Sequence, residues 1–298
     1  MAEKKIINPD NFKVKPGKKI SLKDFKTDIK KKAINQKAGE VLLQKGVQEM
    51  SLLQDKLYAE GKHSILIVLQ AMDAAGKDGT IKHLMSGLNP SGVKVYSFKS
   101  PSSIELTHDY FWRHYKELPA RGEIVIFNRS HYENVLITKV HPEFILNEKL
   151  PYIHSVKDID KKFWIDRYNQ INRFEKNLSE NGTIILKFFL HVSKDEQKRR
   201  FIERVDDPKK NWKFSVADMK ERAFWDDYQK AYAEALSHTS TDHAPWFIIP
   251  ADDKWYTRVI VGAVIYQQFQ KLNLAYPKVS KATKEALLKA KETLLNEK

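Results

Sequence analysis

Hydrophobic positions along this chain fall into two rhythms. Short unbroken apolar runs occur at 64–70 (SILIVLQ), 93–98, 123–127, 183–190 and 246–249, each bounded by polar residues. Runs this short and this rich in branched side chains predict strands buried on both faces. Between them apolar residues recur at helical spacing, at about 77–88, 103–117, 131–138, 160–180, 194–204, 215–236 and 254–273. Ahead of the first strand, Val41, Leu42, Val47, Met50, Leu53 and Leu57 form the stripe of an amphipathic helix over 39–60. Strands alternating with helices predict an α/β fold with a parallel five-stranded sheet covered on both faces. The chain then divides into an arm and helix (1–60), a core (61–275) and a terminal amphipathic helix (276–298). The apolar side of that last helix, with Leu287, Leu288, Leu294 and Leu295, is expected to dock on the body or on another subunit.

Charge sharpens this outline. Lysine and arginine total 52 against 38 acidic residues, a formal charge of +14. Residues 1–38 alone hold twelve lysines and four acids, and read as an arm laid over the body or partly disordered. Such an excess favours polyanionic partners. The chain has no cysteine, which excludes disulfides, zinc–thiolate sites and a thiol nucleophile. Its first residues lack the apolar centre of a secretory signal, and no apolar run approaches a membrane span. The expectation is a cytoplasmic protein with no membrane partner.

The densest chemistry follows the first strand, in Ala71-Met72-Asp73-Ala74-Ala75-Gly76-Lys77-Asp78-Gly79-Thr80. Small residues between a strand and a helix let backbone N–H groups close around a phosphate, and the helix start adds free donors. This predicts Ala74, Ala75, Gly76, Asp78, Gly79 and Thr80 as a phosphate cradle and Lys77 as its charge. The match to G-x-x-x-x-G-K-[ST] is imperfect. Ala71 replaces the first glycine, and Asp78 replaces the hydroxyl residue that binds magnesium in the standard loop. Asp73 adds a carboxylate that would repel phosphate unless a cation bridges them. It therefore reads as a magnesium ligand or as a base orienting an acceptor phosphate. The alternative is an ordinary strand–turn–helix corner with a chance Gly-Lys pair.

Two further segments converge on the same sheet edge. The strand at 123–127 delivers Asn128 and Arg129, with Glu133 a turn later. Asn128 suits orientation of a metal-bound water better than direct ligation. Arg129 can fork two phosphate oxygens, and Glu133 reads equally as a site residue or as a first-turn carboxylate. The segment 194–215 is a basic lid. Arg200 and Arg204 lie four apart on one helix face, and Lys209, Lys210 and Lys213 follow a turn. The alternative is a solvated helix in which Glu196 pairs with Arg200 and Glu203 with Lys198 and Arg199.

Taken together, MDAAGKDGT (72–80), FNRSHYENVL (127–136), KRRFIERVDDPKKNWKFS (198–215), FWDDYQKAY (224–232) and APWFIIPADDKWYTR (244–258) resemble polyphosphate kinase family 2. The resemblance implies a three-layer α/β/α P-loop kinase fold with a helical lid and an N-terminal helical extension. It also implies magnesium, or manganese in its place, and a basic channel for inorganic polyphosphate. Asp73, Lys77 and Arg129 are implied as functional residues, with Arg200 and Arg204 as lid candidates. Asn128 and Glu133 are similar to the subgroup that accepts nucleoside mono- and diphosphates, with adenine or guanine bases. Self-association into a homo-oligomer is expected. Two other readings stay open: an ATP-dependent nucleoside monophosphate kinase, and a non-catalytic nucleic-acid binder. No nucleic-acid-binding signature supports the latter.

Overall fold

The computed structural model describes residues 7–29 and 34–297; 1–6, 30–33 and 298, part of the predicted arm among them, lie outside the described residues. Five strands, β1 (Ser64–Ala71), β2 (Val93–Ser97), β3 (Ile124–Asn128), β4 (Thr183–His191) and β5 (Trp246–Pro250), form one sheet in the order β2-β3-β1-β4-β5. Every pairing is parallel, with Ile65 opposite both Ile124 and Ile184 and with Phe188 opposite Phe247. β1 is buried along its whole length, which explains why its residues do not alternate between apolar and polar.

The helices supply the two outer layers. On one side α1 (Gln36–Glu60) packs on α9 (Lys254–Lys271), and α9 on α2 (Lys77–Met85). On the other, α5 (Lys161–Glu180) packs on β4 and on α8 (Trp225–Thr239). Between these come α3 (Trp112–Tyr115), α4 (Ile137–Val140), α6 (Lys194–Asp206) and α7 (Val216–Ala223), and the chain ends in α10 (Lys281–Leu295). α1 can touch α9 closely because residue 39 is glycine: a Cβ there would lie 2.3 Å from the Trp255 ring.

Three predicted helices are broken. The segment 103–117 holds only a 3₁₀ turn, Glu105–Thr107, and the single turn α3, because the Asp109 carboxylate caps the Phe111 N–H at 2.9 Å and restarts the chain. Ser130 caps a 3₁₀ turn at His131–Val135 before α4 begins. The pattern at 215–236 splits at Phe224 into α7 and α8. The described part of the arm lies on the body. Val14 N–H donates to Trp246 O at 2.8 Å, and Lys13 bridges antiparallel to Phe247, so the arm covers the β5 edge of the sheet.

A polar network runs through the core. Lys187, in the middle of β4, is fully buried and donates to Glu175 Oε2 (2.5 Å), Tyr132 Oη (2.8 Å) and Thr239 O (2.7 Å). The Tyr132 hydroxyl donates to Glu175 Oε1 at 2.8 Å, and His131 meets the same oxygen at 3.4 Å. Burial alone would push the Glu175 carboxyl up, but Lys187 and His131 hold it below its ordinary value. This network anchors the loop after β3 from inside.

Candidate active site

β1 turns into α2 at the carboxyl edge of the sheet through residues 72–76. Ala74 and Gly76 take positive φ, 60° and 107°. Glycine adopts that region without strain, so residue 76 makes the turn possible. The Ala75 N–H closes the turn on Met72 O at 3.3 Å, and the Thr80 N–H and hydroxyl both bond Gly76 O. Ala75 and Thr80, predicted among the phosphate donors, therefore spend these groups on the shape of the loop. The first N–H groups of α2, from Lys77 onward, have no partner within the helix and remain to bind an anion.

Arg200 is the clearest departure from expectation. It was predicted to share a mobile lid face with Arg204, yet it is 3% exposed and lies beneath the loop. Its guanidinium donates to Ala74 O (3.0 Å), Ala75 O (2.8 Å), Ala251 O (2.7 Å) and Asp252 O (3.1 Å), and its Nε to Glu196 at 2.6 Å. All five N–H donors of an arginine are thereby committed. Arg200 is a clamp joining the loop to the β5 end, with none left for substrate. Neighbouring Gln197 adds a bond to Asp73 O at 2.9 Å.

Above the clamp opens a cleft of about 1050 Å³, walled by the loop, β2, β3, α6, α7 and α9. Lys77 reaches back to Ala71 O at 3.0 Å, and burial lowers the pKa of its ammonium against the pull of Asp73. Arg129 follows β3 at φ 63°, a region that costs a side-chain-bearing residue about 1–2 kcal/mol. It bonds Asp73 Oδ1 at 3.3 Å. Burial opposes its charge, but Glu133 and Asp73 more than compensate and raise its pKa. Glu133 is half-buried, and desolvation raises its carboxyl despite Arg129 and Lys77. Asn128 was expected to orient a metal-bound water; its amide instead donates to Asp78 Oδ1 at 2.9 Å and fixes that carboxylate. Arg204 is half-buried beside Phe201 and lines the cleft. Lys210 lines it while paired with Asp207 at 2.5 Å, and Lys209 is exposed outside the wall. The Lys213 side chain lies outside the described set.

Several wall residues carried no sequence signal strong enough to single them out. Asp218 on α7 approaches Asp73 across a long separation in sequence, and burial followed by Asp73 raises its carboxyl. Lys254 and Arg258, one helical turn apart on α9, and Trp212 also line the cleft; all three fall within segments that carry the family resemblance, but none was assigned a role in the site. A second cleft, of about 250 Å³, lies on the β3 flank among Phe98, Tyr110, Arg113 and Glu133. Arg129 lines both clefts.

The donor set suits a hard cation, since Asp73 and Asp218 offer carboxylate oxygens in one cleft. Among the described residues no group of three or more metal-ligating side chains gathers. Magnesium commonly takes one or two carboxylates and completes its shell with substrate phosphates and water, so the residues present fit it.

A parallel sheet whose central strand turns at its carboxyl edge into a helix that opens with a lysine, with an arginine beside the turn, is the arrangement that P-loop phosphotransferases use. Residues 33–277 match the family described as Polyphosphate kinase 2 (PPK2), and the chain belongs to that family. It is 46% identical over 289 residues to an ADP-polyphosphate phosphotransferase of Rhodopseudomonas palustris, covering 97% of this chain and 99% of the relative. It is 45% identical over 241 residues to an AMP/ADP-polyphosphate phosphotransferase of Meiothermus ruber, covering 81% and 85%. The crystal structure of Polyphosphate Kinase 2 from Arthrobacter aurescens superposes with a TM-score of 0.84 at 38% identity, covering 95% of this chain and 97% of that one.

Proposed function

We propose that this enzyme moves phosphoryl groups between inorganic polyphosphate and adenine nucleotides, converting AMP to ADP and ADP to ATP. The observation that carries the reading is the position of Arg129, at the junction of a long cationic cleft and a small one. A polyphosphate end over the loop and a nucleotide phosphate in the small cleft would meet beside it. The relatives named above support this choice of substrates.

In the proposed step a terminal phosphate oxygen of the nucleotide attacks the last phosphorus of polyphosphate in line. The P–O bond to the next unit breaks, and the shortened chain leaves with the electron pair. Lys77, the α2 amides and Arg129 hold the transferring group, where developing charge meets fixed donors. Arg204 and Lys210 neutralise the leaving chain from the lid. Asp73 and Asp218 would hold magnesium, which when bound supplies charge neutralisation to the phosphates. Glu133 positions the acceptor through Arg129.

Purified protein supplied with polyphosphate and magnesium should make ADP from AMP and ATP from ADP, and GMP and GDP run in parallel would report base preference. Phosphorylation of a monophosphate by ATP, with polyphosphate unused, would favour the nucleoside monophosphate kinase instead. Self-association and a cytoplasmic location belong to the same proposal. Leu287, Leu288, Leu294 and Leu295 stand exposed on α10 and offer a surface for a second copy, and no described helix is long and apolar enough to cross a membrane.

A further inference from the structure

α7 carries Asp218 into the cleft, yet this helix buries none of its residues, and its Val216 and Met219 are exposed. Polar contacts from its last turn fix it instead. Glu221 accepts from the Tyr228 hydroxyl of α8 at 2.6 Å and meets His141 Nε2, just after α4, at 3.1 Å. Arg222 reaches α6, where its Nη1 donates to Lys194 O at 2.9 Å and to Gln197 Oε1 at 2.6 Å. Gln197 is 1% exposed, and its Nε2 donates to Asp73 O at 2.9 Å. Its amide has one possible orientation, because a backbone carbonyl only accepts and a guanidinium only donates. An unbroken hydrogen-bonded path therefore runs from the loop at Asp73 through Gln197 to Arg222. Asp218 lies one turn before Arg222, on the same face of α7.

Asp73 and Asp218 need such a tie. They are like charges on separate elements, and Asp73 raises the carboxyl of Asp218. Left to themselves the two carboxylates push α7 away from the loop, and no buried residue of α7 resists. A cation can bridge them only when both are held, and holding them before it arrives lowers the cost of binding it. Arg200 spends its donors on the loop, the β5 end and Glu196, so the path through Gln197 is a separate device. Neither Gln197 nor Arg222 lines the cleft itself. We propose that Arg222 and Gln197 are positioning residues, which set Asp218 opposite Asp73 for the divalent cation and touch neither phosphate nor metal themselves. This rests on the reading that Asp73 and Asp218 hold magnesium.

The test compares Arg222→Met, Arg222→Lys, Gln197→Met and the double variant Arg222→Met with Gln197→Met against wild type and Asp218→Asn, with melting temperatures to confirm folding. Arg222→Met should raise the free magnesium needed for half-maximal rate about tenfold, the scale of one charge-assisted hydrogen bond. The rate at saturating magnesium should return to within about twofold of wild type, and the KM for ADP should move less than about twofold. Gln197→Met should match it, and the double variant should be no worse than either single change, since one path can be broken only once. Arg222→Lys should recover part of the loss, because an ammonium can donate to both acceptors. Manganese binding to the substrate-free protein, followed by electron paramagnetic resonance, should weaken in the same order. An unchanged magnesium requirement in Arg222→Met, a loss of rate that saturating magnesium does not restore, or single effects that add in the double variant would overturn the assignment. Asp218→Asn separates the two levels. If it weakens manganese binding while Arg222→Met does not, only the role of Arg222 and Gln197 falls. If neither change alters manganese binding, the reading of Asp218 as a metal ligand falls with it.

Discussion

Single side chains in this site divide into those that meet phosphate and those that shape what does. The proposed function puts Lys77 and Arg129 in the first group, and Lys77→Ala or Arg129→Ala should each lower kcat by at least about 10²-fold, the scale for removing one charge-stabilising donor. Arg200 belongs to the second. Four backbone carbonyls and Glu196 use its planar fork, and a lysine ammonium cannot reproduce that geometry. Arg200→Lys should therefore lower both activity and melting temperature, whereas loss of a solvated lid arginine would leave the melt unchanged. Glu133→Asn should shift the ratio of AMP to ADP use in parallel assays; an unaltered ratio would remove Glu133 from acceptor recognition. The loop was legible because a Gly-Lys pair after a buried strand is a local pattern. The clamp was not, because Arg200 and Arg204 share one face of α6 and differ only in which turn of the helix reaches the loop, and both positions look alike in a run of cations.

At the level of elements, β1, β3, β4 and β5 could be read closely because a strand buried on both faces has no polar alternation to confuse it; β2, also expected to be buried, is exposed or half-buried along its length because it is the edge strand of the sheet. Helices failed where a side chain competed with the backbone, at Asp109 and Ser130. Lys187 shows the converse limit: a lysine in an apolar run gives no hint of a buried ion pair, since its partner Glu175 comes from α5. Lys187→Met should destabilise the fold by about 3–5 kcal/mol by leaving Glu175 buried and unpaired. Adding Glu175→Leu should recover a large part of that loss in denaturant unfolding; no recovery would mean the pair is not coupled. Two buried histidines beside this network set a pH dependence. Burial lowers the pKa of His114 and of His131, so both stay neutral in the fold. The unfolded chain takes up their protons below about pH 6.5 and the folded one resists. Stability is then full above that value and declines as pH falls toward the folded-state pKa values. Melting temperatures between pH 8 and 5 should show a drop beginning near about pH 6.5, reduced in His131→Asn.

For the molecule as a whole, the formal charge is +14, and in the cleft at the carboxyl edge of the sheet lysines and arginines outnumber acidic residues. Apparent affinity for polyphosphate should fall steeply with salt, because each phosphate contact releases a counterion. The central claim is that a linear chain of phosphates lies over the turn between β1 and α2, its end beside Arg129. A crystal structure with magnesium and polyphosphate tests it most directly. Density should run from Arg129 across the α2 amides and Lys77. Density for the polymer elsewhere on the surface, with the turn bare, would contradict the account.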